Sequence, residues 1–341
     1  MVVTTLADDL LQIRVPVPFP TATVNCYLVR TPEGCVLIDT GVCTPQARSV
    51  LEQALRAAGV GRSGLRAVVV THGHPDHVGL AGWLQEAYGV PVVLSEVEAA
   101  VVRRLWQGNL EERVRATARM LASHGMPEAL IQQAAARAQR LTALVAPLDV
   151  LCTVADGGAV RAGGFSARVY WVPGHSDGHI VLLDQSGRMF CGDHVLPAIS
   201  PHIALYPGAR PNPLADYLRS LRRTRDLPVR LALPGHGEPF TEWADRVEAL
   251  VRHHGERLQT ILRGLPPEGA TAYAIALWVF GPDLGIEDAV LAVTETLAHL
   301  EWLRAEGFVV REEGDPVRYR PGHRPDEGIQ DPGASENTGT I

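Results

Sequence analysis

One short motif, HGHPDH, constrains this chain more than any other feature of its sequence. It follows Leu65–Val70, a mostly apolar run that is typical of a buried strand. His72 and His74 are two residues apart in an extended segment, so they point to the same side and can bind one ion together. Asp76 and His77 stand at the turn into the next helix and can face a second ion. The motif therefore predicts a metal site at the end of a strand.

Three more ligand-type residues follow later β-rich runs: His175, Asp193 and His236. Loops at the ends of rigid strands are where a fold brings distant side chains together. We therefore expect these residues to converge with the HGHPDH motif. Imidazole and carboxylate donors suit Zn2+, and they also admit Mn2+ or iron.

The composition excludes several other classes of protein. The chain has 341 residues, and 46% of them are hydrophobic, a composition that fits a globular protein. Its net charge of −7 gives no attraction to nucleic acid or anionic membranes. All 31 basic residues are arginine, which excludes a Schiff-base or P-loop lysine. Without a signal peptide or an apolar run of ~20 residues, neither export nor membrane insertion is expected. The 5 scattered cysteines predict reduced thiols in the cytoplasm.

Changes in sequence character predict the domain organisation. The first third alternates strand and helix patterns, and an all-helical insertion at about 95–145 serves either as passive packing or as a lid. We expect a catalytic domain at 1–263. Helices followed by a short hairpin predict a winged-helix-like domain at 270–320, and the Gly- and Pro-rich end, 321–341, predicts a disordered tail.

The motifs together carry a family resemblance. Asp39-Thr-Gly41, Thr71–His77, Gly174-His175, Gly192-Asp193 and Gly235-His236 resemble the five ordered motifs of the metallo-β-lactamase superfamily. The resemblance runs from about residue 11 to residue 240. It implies an α/β fold, a four-layer αββα sandwich with a dinuclear metal site at one edge.

The resemblance also implies a role for each residue of the motifs. The first metal would be held by His72, His74 and His175, the second by Asp76, His77 and His236, with Asp193 bridging both. Asp39 would support the site from behind the ligands, and His179 corresponds to a frequent position of the family that faces either the ligands or the substrate. We treat Asp76 and His179 as the candidate catalytic residues, since Asp76 can touch both a metal and the attacking water.

The expected function is that of a dinuclear metal-dependent hydrolase with two zinc ions. Hydroxide generated between the metals would attack an ester, thioester, lactone or phosphodiester. Two alternatives stay open: a mononuclear iron oxidoreductase of the persulfide dioxygenase type, and a lactamase-like ribonuclease. A flavodiiron protein is disfavoured, because it would carry Glu in place of His74.

The expected partner is a small-molecule substrate, and no membrane partner is expected. The segment that would serve as a recognition helix, Val293–Gly307, carries Glu295, Glu301 and Glu306 against the single Arg304. An acidic helix repels phosphates, so nucleic acid is disfavoured as a partner. The C-terminal region is then a packing or dimerisation element, and a homodimer is left open.

Overall fold

The computed structural model describes residues 2–149, 152–323 and 329, which form two compact units. The first unit comprises the described residues within 1–109, 139–201 and 227–243, and the second comprises those within 110–138, 202–226 and 244–341. Most of the predicted tail, namely 324–328 and 330–341, lies outside the described residues.

The first unit contains two β-sheets. The first sheet has seven strands that neighbour one another in chain order: β1 (Val3–Ala7), β2 (Leu10–Pro16), β3 (Thr23–Thr31), β4 (Gly34–Ile38), β5 (Leu65–Val69), β6 (Val92–Ser95) and β7 (Cys152–Val154). Strands β1 to β4 pair antiparallel, whereas β4 to β7 pair parallel.

The second sheet has five strands in the order β12-β11-β10-β9-β8: β8 (Ala159–Ala162), β9 (Phe165–Trp171), β10 (Ile180–Asp184), β11 (Arg188–Gly192) and β12 (Leu231–Pro234). Only β11 and β12 pair parallel, and the other neighbours are antiparallel. The predicted hairpin around Gly163-Gly164 is the β8–β9 turn.

The helices largely match the segments that apolar spacing predicts. They are α1 (Pro45–Ala57), α2 (Pro75–Val78), α3 (Ala81–Tyr88), α4 (Glu96–Val102), α5 (Leu110–Ser123), α6 (Glu128–Thr142), α7 (Pro213–Arg225), α8 (Trp243–Gly264), α9 (Ala272–Phe280) and α10 (Ile286–Ala305). A π-helical turn, Arg103–Gln107, continues α4, and a hairpin of β13 (Val309–Glu312) and β14 (Arg318–Pro321) follows α10.

One helix differs from the sequence pattern. The pattern predicts a single helix from Asp76 to Tyr88, but the structure has α2 and α3 with a break between them. The break occurs because the Leu80 amide donates to Gly41 O (3.1 Å) and Thr40 Oγ1 (3.1 Å). These bonds tie the chain after the HGHPDH motif to the end of β4.

Two apolar layers hold the first unit together. Between the sheets, Phe190 is fully buried and meets the rings of Tyr27 and Phe165 edge-on at centroid distances of 5.8 and 6.2 Å. The other face of the first sheet packs against α1 and α3 through side chains such as Leu51 and Leu84. The sheets are thus fixed to each other, and their loops have a rigid base.

In the second unit, α10 is buried on nearly every side, as expected for a helix with apolar residues all around it. Glu301 of this helix is buried and Glu295 is nearly so, although an acidic stripe in the sequence is typical of a solvent-facing surface.

Among the described residues, no helix is long and apolar enough to cross a bilayer. All five cysteines are free thiols, as expected.

We expect Phe190→Ala to lower the free energy of unfolding by about 3–5 kcal/mol, because it leaves a cavity between the two sheets. Ile199→Ala is the control, since Ile199 is 50% exposed and its truncation should cost less than about 0.5 kcal/mol. Urea denaturation of the two variants checks the difference. Equal losses would show that the inter-sheet layer is not the core of this unit.

Candidate metal centre

Strand direction brings the predicted ligands to one edge. Strands β4 and β5 are parallel, so the segments that follow them, which contain Asp39 and His72, leave the first sheet on the same side. In the second sheet β9, β11 and β12 all run the same way, because β9 and β11 are both antiparallel to β10, and β12 is parallel to β11. Their carboxyl ends carry His175, Asp193 and His236.

The first ligand group consists of three histidines. His72 Nε2 lies 3.0 Å from His74 Nδ1 and 3.2 Å from His175 Nε2. Two imidazole nitrogens that bind one zinc ion tetrahedrally are separated by about 3.3 Å, as follows from the usual Zn–N distance. His72 is completely buried, whereas His74 and His175 are half-buried, so this group can be reached from solvent.

The second ligand group consists of Asp76, His77 and His236, whose ligand atoms all lie within 4.8 Å of one another. His236 Nε2 is 3.2 Å from Asp76 Oδ2, and His77 Nε2 is 3.9 Å from the same oxygen.

Asp193 lies between the two groups. Its Oδ2 is 3.6 Å from His175 Nε2 of the first group and 3.5 Å from His236 Nε2 of the second. Its Oδ1 is 3.5 Å from His77 Nε2. One carboxylate thus faces both groups, which is the arrangement expected of a bridging ligand.

Two atoms in the middle of this cluster lack a hydrogen-bond partner among the described residues. They are His77 Nε2 and Asp193 Oδ1, and both are buried. An unpaired polar atom in the interior is costly, and a cation between the two would satisfy both at once. The donor set, its spacing and these two atoms fit a pair of divalent metal ions.

Hydrogen bonds on the outer side of the rings fix their orientation. His72 Nδ1 is 3.1 Å from Thr71 Oγ1, and His236 Nδ1 is 2.8 Å from Thr23 O. Because the outer nitrogen of each ring is occupied in this way, Nε2 is the atom directed to the centre. Such partners are known to orient ligand imidazoles and raise their basicity.

Asp39 is the most connected of these supporting residues. Its Oδ2 is 2.8 Å from His77 Nδ1, and its Oδ1 accepts the Thr71 amide at 2.8 Å. The Thr71 hydroxyl donates to the same carboxylate. Asp39 has φ of 58°, a left-handed conformation that Asp tolerates better than most residues. This strained backbone conformation places the carboxylate where it reaches both His77 and the chain after β5.

The histidines of the cluster fall into two kinds by the direction in which their surroundings shift the pKa. Burial, with help from neighbouring imidazoles, holds the pKa of His72 well below its ordinary value and lowers the pKa of His74 to about 3. Burial also opposes charge on His77 and His236, but nearby carboxylates, Asp193 foremost, outweigh it and raise the pKa of both rings. His72 and His74 are therefore neutral imidazoles, the form that binds metals.

His179 lies behind the ligands. Its ring is fully buried and stacks on His72 at a centroid distance of 4.6 Å, and its Nε2 accepts the Asp193 amide at 3.1 Å. His194, the residue after Asp193, is also buried, with a pKa lowered to about 3 by burial. The His179 ring thus supports the loop that carries Asp193.

Sequence reasoning missed one buried carboxylate beside the ligands, Glu98. Its oxygens accept the amides of Gly73 and Gly178, which belong to the His72–His74 loop and to the loop after β9. Ser95 and Glu98 have the spacing of an ordinary helix capping box, so the sequence offered a local explanation for this glutamate. Only the fold shows that its side chain turns to the ligand loops.

The arrangement of fold and site is that of a known family. The family model for the metallo-β-lactamase superfamily matches residues 20–236, and that for the metallo-β-lactamase-like C-terminal domain matches residues 258–322. The chain therefore belongs to the metallo-β-lactamase superfamily, and its fold is the predicted αββα sandwich with a C-terminal domain.

Individual relatives match over nearly their whole length. The probable metallo-hydrolase YqjP of Bacillus subtilis is 31% identical over 330 residues, 92% of this chain and 98% of its own. A metallo-β-lactamase family protein of Thermus thermophilus superposes with a TM-score of 0.83 at 37% identity, covering 93% of this chain and 100% of that one. A β-lactamase domain protein of Burkholderia ambifaria gives 0.82 at 29% identity, with 94% of each chain covered. These matches identify the chain as a hydrolase of the superfamily.

We expect Asp39→Asn to weaken zinc binding about 10- to 100-fold, the usual effect of losing a partner of a ligand imidazole. The Asn amide nitrogen cannot accept a hydrogen bond, so either His77 Nδ1 or the Thr71 amide loses its acceptor. Competition with a chromophoric chelator measures the affinity, and Asp8→Asn, an exposed site, is the control. Equal affinities in the two variants would contradict this role for Asp39.

A second prediction concerns Gly235, the residue before His236. A Cβ there would overlap Asp193 Oδ1 and lie 2.7 Å from His77 Cε1. Gly235→Ala should therefore displace two ligands and lower the bound metal per chain, measured by elemental analysis after dialysis. Gly61→Ala is the matched control, because its Cβ would meet nothing within 4 Å. Full metal content in Gly235→Ala would show that the ligands are less constrained than this geometry requires.

Proposed function

We propose that the protein is a dinuclear metal-dependent hydrolase that cleaves an ester, thioester, lactone or phosphodiester bond in a small molecule. The observation that carries this proposal is the pair of ligand groups around Asp193, with His77 Nε2 and Asp193 Oδ1 left unpaired between them. Bound there, two divalent ions supply a water with its pKa lowered towards about 7 and a Lewis acid for the substrate oxygen.

The chain's own residues divide the work as follows in this proposal. His72, His74 and His175 hold one ion, and Asp76, His77 and His236 hold the other. Asp193 spans both groups and keeps them at a fixed separation. Asp39 holds His77 and the chain after β5 in place through its short hydrogen bonds.

Asp76 is the proposed proton acceptor. Its Oδ2 lies 3.2 Å from His236 Nε2 and 3.9 Å from His77 Nε2, which places the carboxylate within the second ligand group. Its pKa lies below the ordinary value, because nearby His77 and His236 outweigh the effect of burial. A carboxylate in that state can accept a proton from an attacking water and pass it to the leaving group.

His179 is proposed as a positioning residue. Its Nε2 already accepts the Asp193 amide, and its ring packs on His72, so it acts on the reaction through those two ligands.

We propose zinc as the metal. Imidazole nitrogens dominate the donor set and are joined by two carboxylates, a mixture for which zinc is the common choice. Mn2+ and iron accept the same donors.

A small molecule is the proposed substrate, in preference to nucleic acid. A winged helix that reads DNA needs a recognition helix with an exposed face. In this chain α10 would have that position, and it is buried on nearly every side. We propose a winged-helix-like arrangement for the C-terminal helices and hairpin, but as a packing element.

The proposal predicts that the purified protein binds two metal equivalents and loses its hydrolase activity when a chelator removes them. His74→Ala should reduce turnover by more than about 100-fold while the fold is retained, because it removes a ligand of the first ion. A panel of lactone, thioester, phosphodiester and β-lactam substrates, tested with zinc- and manganese-loaded enzyme, gives the rates. His323→Ala, an exposed histidine distant in sequence from the motifs, is the control.

Three results would contradict the proposal. Full activity in the metal-free protein would exclude metal-dependent hydrolysis. One iron per chain, with activity on a persulfide and none on the panel, would favour the dioxygenase alternative. Cleavage of RNA with no turnover of small substrates would favour the ribonuclease.

A further inference from the structure

The backbone between the first two ligands is held by side chains from a separate segment. Gly73 lies between His72 and His74, and its amide donates to Glu98 Oε1 at 2.6 Å. Its carbonyl oxygen accepts the indole Nε1–H of Trp106 at 2.7 Å. Both polar groups of this one peptide residue are thus bonded to α4 and the π-helical turn, the start of the predicted insertion.

Glu98 holds the loop of the third ligand as well. Its Oε2 accepts the Gly178 amide at 2.8 Å, and the Ser176 hydroxyl donates to Oε1 at 2.6 Å. Ser176 directly follows His175. Ser95, which caps α4, donates to Gly178 O at 2.6 Å. One carboxylate therefore connects the two loops that carry all three ligands of the first group.

The site around Glu98 is closed and close-packed. Glu98 is completely buried. A Cβ on Gly73 would lie 2.9 Å from Glu98 Oε1, and a Cβ on Gly178 would overlap the backbone of Glu98. Both positions need glycine so that the loops can approach the carboxylate this closely.

Burial of this carboxylate lowers stability unless its hydrogen bonds compensate. Among the described residues, no arginine pairs with Glu98, and all its partners are amides and a hydroxyl. Isolated buried charges are costly, so this carboxylate depends on the donors that surround it. An apolar side chain in its place would leave the Gly73 and Gly178 amides without an acceptor, which ties the choice of glutamate to the two ligand loops.

We propose that Glu98 is a positioning residue of the first metal group, and that Trp106 completes its support. Glu98 sets the separation of His175 from His72 and His74 by bonding both loops with one rigid carboxylate. This inference rests on the proposed two-metal function. It gives the first part of the insertion a role that is neither passive packing nor a lid.

Glu98→Gln is the sharpest test, because it keeps the shape of the side chain and removes one acceptor. The amide nitrogen that replaces one carboxylate oxygen must face either the Gly73 or the Gly178 amide, and two donors then oppose each other. We expect zinc affinity of the first group to fall about 10- to 100-fold. Glu96→Gln is the matched control: it lies on the same helix, makes the same charge change and is exposed.

The two metal groups can be measured separately. In a His236→Ala background the remaining tight zinc is held by the first group, and Glu98→Gln should weaken it. In a His74→Ala background the remaining zinc is held by the second group, and Glu98→Gln should leave it unchanged within about 2-fold. Equal losses in both backgrounds, or no loss in either, would overturn the proposal.

A measurement without metal separates this inference from the proposed function. In the metal-free protein, Glu98→Gln should speed hydrogen exchange at the Gly73 and Gly178 amides, whereas Glu96→Gln should not. If wild type binds no metal but these amides respond, the two-metal function fails and the positioning of the loops by Glu98 stands. If wild type binds two zinc ions and the amides do not respond, the positioning role fails alone.

Trp106→Phe keeps the test decisive if Glu98→Gln does not fold. It removes only the indole donor to Gly73 O, and it should weaken zinc at the first group in the His236→Ala background. Unchanged zinc affinity of the first group in a folded Trp106→Phe variant, checked by circular dichroism, would overturn the proposal that this segment positions the first metal group.

Discussion

The directions of the strands are the constraint on which the rest of this protein depends. Two pairs of parallel strands end at the metal centre: β4 with β5 in the first sheet, and β11 with β12 in the second. Parallel neighbours have their carboxyl ends at the same edge, so the loops that follow them bring residues far apart in the chain to that edge. His72 follows β5 of the first sheet and His236 follows β12 of the second, and the packing of the two sheets on each other brings these edges to one cluster.

A convergence of so many ionisable groups would not be stable without a second layer of bonds. The Asp39 carboxylate accepts a hydrogen bond from His77 Nδ1, and the carbonyl oxygen of Thr23 accepts one from His236 Nδ1. Glu98 satisfies backbone amides that the tight ligand loops would otherwise leave unpaired. The centre is therefore a set of ligand atoms directed inward, surrounded by groups that fix them from outside.

Much of the site could be read from the sequence because its signals are local. The HGHPDH motif places four donors within a few residues, and each later ligand follows a recognisable β-rich run, so type and approximate position needed no tertiary information. The αββα fold was implied by the resemblance of those ordered motifs to the metallo-β-lactamase superfamily. The helix break at Leu80 could not be foreseen, because it arises from bonds to Thr40 and Gly41, residues that periodicity does not connect to it.

The sequence by itself determined which side chains can bind metal, since residue type and two-residue spacing set the chemistry of the HGHPDH motif. The tertiary structure decided which other groups serve that centre. Glu98 has the spacing of a local helix cap, and Glu295 and Glu301 have the appearance of a solvent-facing acidic stripe. In the fold Glu98 binds two ligand loops, and the other two are largely removed from solvent. The physical reason is that burial and hydrogen-bond partners depend on chain segments distant in sequence, which a local pattern does not contain.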